Sequence, residues 1–381
     1  NCATLTSIDL VDDFDTRNVT NMDQLFSGCQ KLTSLDVSQL DTSHITNMAD
    51  FFNDCESLTN IEGLTHLNTA AVTTMANMFS NCRSLTALDL SNFETSRVTT
   101  MANMFNNCAS LPVLDVSSLD TSQVVNMANM FAGCAALSAL DTTPLKTTNV
   151  TNMSGMFMGD RALVSLDISK LATSQVTTMS HMFEDVFADQ KVQAFTGLEK
   201  LDTSNVTDMS YMFAGFFLPV AMSLNLVNFD TRKVLNMQGM FKGYVNFKDN
   251  YLGYLQTGNV TDMSYMLSGL VNHTQFTWSN NLDTHSVTTM AYMFSDSPDM
   301  ETFVWKQQLS MDQVTDMQGM FANDIALAHV DFDQFDTSQV TDMTAMFSGD
   351  TLLATLDLTS FDTSNVESMY KMFYLDSALK N

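Results

Sequence analysis

The sequence predicts one right-handed α/β solenoid over residues 1–381, with one short parallel strand and one short helix in each of about 14 coils. Three observations predict it. A motif returns at a near-constant interval, a set of apolar residues is fixed in type as well as place within it, and a short alternating segment follows later in each unit.

The interval comes first. With position 1 at Phe14, the unit recurs at Leu40, Leu67, Phe93, Leu119, Leu145, Leu171, Leu201, Phe229, Leu255, Leu282, Leu309, Phe335 and Phe361. The steps are 26 or 27 residues, apart from two of 30 and 28. Units of this size cannot bury an apolar face alone, so they stack.

The helix is predicted from the fixed apolar set. Position 6 is Val or Ile in all fourteen units and position 9 is Met in all fourteen, from Met22 to Met369. Position 12 is Met in twelve units and position 13 is Phe in thirteen, the exception being Leu267. Two positions thus take 26 of the 30 methionines, which makes them core residues. Positions 6, 9, 12, 13 and 16 fall within an arc of about 120° at helical spacing. Thr at position 7, as in Thr20, Thr46 and Thr73, reads as the N-cap of that helix.

The strand is predicted from Leu32, Leu35 and Val37, repeated as Leu85, Leu88, Leu90, as Leu111, Leu114, Val116 and as Leu163, Leu166, Ile168. The last two apolar residues of each set alternate with a polar one, as a half-buried strand requires. One strand and one crossover per unit, always in the same order, give parallel pairing with a right-handed turn.

Six cysteines at 2, 29, 55, 82, 108 and 134 keep the repeat spacing. They are expected as buried free thiols, since neither zinc spacing nor a dense disulfide framework is present. The net charge of −27 excludes nucleic acid and anionic membrane as natural partners. No stretch approaches the ~20 apolar residues of a membrane span, so no direct membrane insertion is expected. The chain starts at Asn1 without a leader and both ends fall inside a unit; a fragment is expected, with caps, secretion signal and wall anchor outside it.

Segments such as Leu201-Asp202-Thr203-Ser204-Asn205-Val206-Thr207-Asp208-Met209 and Phe361-Asp362-Thr363-Ser364-Asn365-Val366 resemble the leucine-rich repeat family, and more closely its BspA-like surface-protein branch. That branch reads F-D-T-S-x-V-T-x-M-x-x-M-F over about 26 residues. The resemblance implies a leucine-rich-repeat-like solenoid on the bacterial cell surface, of the kind found in adhesins of lactic acid bacteria. It also implies attachment to host mucin, another glycan or glycoprotein, or a matrix protein. The usual Asn after L-x-L is replaced here by Phe or Leu at position 1, so loop hydrogen bonds must come from the Asp-Thr-Ser that follows.

Candidate ligand-binding residues lie where the repeat faces outward. The strand residue between the two inward leucines is Asp36, Glu62, Asp89, Asp115, Asp141 and Asp167 in successive coils, then Asp331 and Asp357. With strands about 4.8 Å apart these carboxylates form a row. The row either keeps an exposed face soluble or grips a cationic or hydroxyl-rich ligand. Mutual repulsion is expected to raise its pKa values, so that acid neutralises it early. Calcium has no D-x-D-x-D-G loop to use. From about 186 to 305 aromatics accumulate. Tyr211, Tyr265 and Tyr292 share position 11 and are expected to pack at the core edge or to stack on sugars or peptides. Trp278 and Trp305 align with the inward leucines and read as core replacements, while Val186-Phe187-Ala188-Asp189 and Phe216-Phe217-Leu218-Pro219 read as projecting insertions. The Asp at position 2 recurs before Thr, which marks turn hydrogen bonding and not catalysis. No acid, base or nucleophile is unique to one repeat in a way that forms a site, and the six histidines share no position; no enzyme, cofactor or metal centre is expected. The alternative to an adhesin is a ligand-free stalk that presents another domain.

Overall fold

The computed structural model describes residues 2–10, 14–278, 282–305, 310–332 and 335–380. Leu309 and Asn381 lie outside the described residues, as does the side chain of Trp278. The chain divides into two compact units, Asn1–Asp202 and Thr203–Asn381.

Both units are parallel β-solenoids. In the first, β1 (Ser34–Asp36) pairs with β2 (Asn60–Glu62), and β3 (Ser165–Asp167) with β4 (Ala194–Thr196). In the second, β5 (Gln275–Trp278), β6 (Thr302–Trp305) and β7 (His329–Asp331) form one sheet. A second ladder runs through position 8, as Asn47–Thr74–Thr100–Asn126–Asn152–Thr178 in the first unit and Asp208–Asn236–Asp262–Thr289–Asp316–Asp342–Ser368 in the second. Eleven such bridges are described, five in the first unit and six in the second, and the regular turns number about eleven, somewhat fewer than the fourteen expected from the motif.

The predicted helix in each coil is a correction: the described residues contain no α-helix, only the 3-10 segments Leu64–His66, Leu198–Lys200 and Asp249–Tyr254. From position 9 to position 16 alternate amides leave their own coil. Asp50, Phe52 and Asp54 donate to the carbonyls of Ala76, Met78 and Ser80 in the next coil, while Asn53 and Cys55 donate to the residues three before them. This alternation needs left-handed backbone at positions 11 and 15, as at Asp50 (φ 56°), Asp54 (φ 59°), Asn77 (φ 56°) and Asn81 (φ 59°). A left-handed residue stops a right-handed helix within a turn. The spacing of inward residues imitates a helix because two successive tight turns also return positions 9, 12, 13 and 16 to the same side.

The core readings hold in the interior coils, but not at Cys2, which is exposed in the first, incomplete coil, where no preceding coil covers it. Met at 9 and 12, Val or Ile at 6 and Phe at 13 are buried through the interior coils. Phe52, Phe79, Phe105, Phe131, Phe157 and Phe183 stack coil on coil, with centroids 5.5–5.9 Å apart and planes within 11°. Rings in such an offset stack gain aromatic contact beyond their apolar burial. Cys55, Cys82, Cys108 and Cys134 are buried free thiols whose Sγ donates to the Phe carbonyl of the coil before. Burial pushes Cys55 and Cys108 up to about 12, which keeps both as thiols.

A second interior column comes from Thr at position 3, a residue the repeat pattern alone does not single out. Thr121 Oγ accepts the Lys146 amide (2.7 Å) and donates to the Lys146 carbonyl (3.0 Å). Thr16, Thr147, Thr173, Thr203, Thr231 and Thr337 repeat that bridge. One buried hydroxyl thereby satisfies both polar groups of a peptide that has no strand partner.

Candidate functional site

Regular coils turn at three corners, where in many coils a short polar side chain accepts the amide two residues on. Position 2 does so at Asp41, Asp120 and Asp336, and position 8 at Asn47, Asn126 and Asp342. The third corner is the predicted acidic row. Asp36, Asp89, Asp115, Asp141, Asp167 and Asp357 are exposed and accept the amides of Ser38, Ser91, Ser117, Thr143, Ser169 and Thr359 at 2.9–3.0 Å. Glu62 pairs in register with Asp36, and Asp331 ends β7.

At five of these carboxylates the expected rise in pKa is overturned. Asp36, Asp89, Asp167 and Asp357 are held below the ordinary carboxylate range by the amide two residues on, and then by that residue's hydroxyl. At Asp115 the Ser117 hydroxyl leads and its amide follows. In a solvated row these donors outweigh repulsion between coils, because they act at contact distance on the charged form alone.

Thr at position 7 is not a helix cap. It lies in an extended segment, and Thr73, Thr99, Thr261, Thr288 and Thr315 each donate Oγ to the position-7 carbonyl of the preceding coil.

Tyr211, Tyr265 and Tyr292 are half-buried at position 11, all with left-handed backbone (φ 55°, 58° and 56°). Tyr265 and Tyr292 stack with centroids 4.9 Å apart and planes 8° apart, and Lys242 Nζ stands 4.9 Å over the Tyr265 ring. The rings of Tyr211 and Tyr292 lie directly on Gly239 and Gly319, where there is no room for a Cβ. The Tyr265 ring is thus taken up within the column, between Lys242 and Tyr292. All three residues keep part of their surface exposed.

The two insertions send most of their larger apolar residues inward, while Asp189 is exposed and Ala188, Phe217 and Pro219 are half-buried. Val186, Phe187, Phe216 and Leu218 are buried, as are Tyr244, Tyr251 and Trp305, so the aromatic middle widens the core. The core reading of Trp305 holds.

Position 4 is Ser in seven of the fourteen units, and Arg17 stands there in the first, forked onto Asp15. Three consecutive coils carry Arg232, Gly258 and His285 there. Arg232 forks onto Asp230 (Nη2–Oδ2 2.6 Å, Nε–Oδ1 2.9 Å), and this pairing holds the Asp230 carboxyl at about 2. His285 Nδ1 lies 2.6 Å from Asp283 Oδ1. Between them opens a cavity of about 530 Å³, lined by Arg232, Leu255, Gln256, Thr257, Gly258, Asn259 and Asp283. Its lining offers donors and acceptors around an apolar floor, the pattern that fixes a polar ligand's orientation. The signal was in the sequence, as a break in the repeat at a turn. Among the described residues no cluster of three or more His, Cys, Asp or Glu could hold a metal ion.

A family model described as "Mycoplasma protein of unknown function, DUF285" matches the chain at residues 2–112, 73–195, 184–306 and 302–381. Among solved structures, the chain is similar to a leucine-rich repeat protein from Bacteroides ovatus, with 11% identity over 89% of this chain and 76% of that one, at a TM-score of 0.41. It is also similar to a leucine-rich cell surface protein from Faecalibacterium prausnitzii, with 13% identity over 94% of this chain and 74% of that one, at a TM-score of 0.34. No curated protein matches it.

Proposed function

The chain belongs to the family described as Mycoplasma protein of unknown function, DUF285, and from that premise we propose that it is a binding scaffold of the bacterial surface. In this reading it is an extracellular adhesin of the BspA-like kind, and its ligand is a saccharide on host mucin, another glycoprotein or the matrix. One observation carries the reading: positions 6, 9 and 12 stay Val, Met and Met through coils whose surface turn changes from Ser to Arg232, Gly258 and His285 around an open cavity. A stalk needs no such local change. The cavity's alternating donors and acceptors suit sugar hydroxyls. The exposed carboxylates of Asp36, Glu62, Asp89, Asp115, Asp141, Asp167, Asp331 and Asp357, and the exposed parts of Tyr211, Tyr265 and Tyr292, are secondary hydroxyl-binding surface.

Titration of purified mucin glycopeptides onto the full chain tests this, using Arg232→Ala and Gly258→Leu. Gly258 has ordinary backbone, and a Cβ there meets only the ends of the Asp283 and His285 side chains, so the replacement fills the cavity without breaking the coil. Saturable binding lost in both variants, with the thermal midpoint unchanged, is expected. Binding equal to that of the unmodified chain removes the cavity from the mechanism. The stalk reading is favoured by the near-identical hydrogen bonding of successive coils, and it gains if no glycopeptide binds at all.

A further inference from the structure

Position 16, which holds the cysteines in the early coils, becomes Asp160 and later Asp324, Asp350 and Asp376 in three consecutive coils. Asp160, Asp324 and Asp350 are fully buried, and Asp376 is partly so. One oxygen of each accepts an amide of the coil before: Cys134 for Asp160, Ser297 for Asp324, Asp324 for Asp350, and both Gly349 and Asp350 for Asp376, at 2.8–3.0 Å. The other oxygen, Oδ2, is buried in all four and makes no hydrogen bond. Among the described residues none of them has a basic partner in an ion pair.

The charged groups facing the three consecutive residues are themselves acids: Asp350 and Asp296 face Asp324, and Asp376 faces Asp350. An ionised carboxylate sealed in a core with one oxygen unsolvated is strongly disfavoured, and like charges one coil apart disfavour it further. A neutral acid avoids both costs and still accepts the amide.

We propose that Asp324, Asp350 and Asp376 form a column of neutral carboxylic acids whose ionisation loosens residues 297–376, making this part of the chain a proton-dependent element. Burial, followed in part by the neighbouring acids, moves all three in the same direction: Asp324 far above the carboxylate range, Asp350 up to about 9, and Asp376 upward. Asp324 and Asp350 hold their protons when folded and lose them near pH 4 when unfolded. Their stabilising contribution is therefore complete below about pH 4 and declines as pH rises toward the folded value. Over that window each group raises the unfolding equilibrium constant about tenfold per pH unit.

Hydrogen exchange of the Ser297, Asp324 and Asp350 amides, corrected for intrinsic rates, is the measurement, on the full chain and on Asp350→Asn. Asn keeps an acceptor for the Asp324 amide and has no proton to lose. Opening of these amides is expected to rise with pH in the unmodified chain, and the slope to fall by about a factor of ten per pH unit in the variant. An equal slope in both, or protection that grows with pH, overturns the proposal. Infrared spectroscopy of the unmodified chain needs no variant: a protonated-carboxyl band at neutral pH that weakens above about pH 9, as Asp350 ionises, is expected, and its absence at neutral pH also overturns the proposal.

Discussion

Small polar side chains carry the architecture of this chain as much as its methionines do. Thr121 shows how: its hydroxyl bridges to the Lys146 peptide, accepting the amide and donating to the carbonyl. Replacing it by Val keeps the shape and strands a buried amide, a loss of about 1–3 kcal/mol. Thermal or denaturant unfolding is expected to show that loss for Thr121→Val, with Thr121→Ser close to the unmodified chain. Equal effects of the two would mean that the methyl, and not the hydroxyl, is what the site needs. The same reasoning separates the exposed aspartates from the buried ones. Asp115 is charged and closes a turn in water, while Asp350 is sealed beside other acids, so one residue type titrates in opposite directions within a single chain.

At the level of the element, the turn pair at positions 9 to 16 decides the coil. Asn107 holds left-handed backbone there (φ 56°) and donates to Asn81 Oδ1 at 2.9 Å. Asn107→Ala is expected to lower stability by about 1–2 kcal/mol, because an alanine pays the left-handed penalty and loses the amide link. Asn107→Gly, which copies Gly133 of the next coil, is expected to cost less. The far-ultraviolet circular dichroism of the whole chain should lack the helical double minimum, and a strong helical spectrum would contradict the turn pair. The period, the parallel pairing, the buried Met and Phe and the free thiols were all legible in the sequence, because each depends on which residues face inward. The helix was not, since inward spacing is shared by a helix and by two linked turns. The signs against it were present in the Asn, Asp and Gly at positions 11 and 15, residues that tolerate left-handed backbone. The acidic row was legible as a place and misread as a titration, because sequence spacing reveals neighbouring charges and conceals the amide two residues on. The cavity beside Arg232 was hidden for a related reason. Recurrent residues draw attention to what repeats, and a candidate site is a departure from it.

Within each unit the links between regular coils recur at the same pairs of positions one repeat further on, so a coil's neighbours are interchangeable in kind. In the first unit the Phe79, Phe105 and Phe131 rings, the Thr95 and Thr121 hydroxyls and the Thr100–Asn126–Asn152 bridges all continue past any one coil. Removing residues 93–118, one complete coil, brings Leu119 to the place of Phe93 and restores each column with the next member. Stability in such arrays is approximately a sum of coil and interface terms, so the loss should equal about one coil and its single interface. Removing residues 93–105, half a coil, instead sets an outward corner against inward Met and Phe positions in every link that crosses the cut. Denaturant unfolding monitored by a first-unit fluorophore is the check. The full-coil deletion is expected to unfold cooperatively at a modestly lower midpoint, and the half-coil deletion to lose cooperative unfolding in this unit. If both deletions behaved alike, the columns would not be setting the register, and the constancy of Met, Phe and Thr along the chain would need another cause.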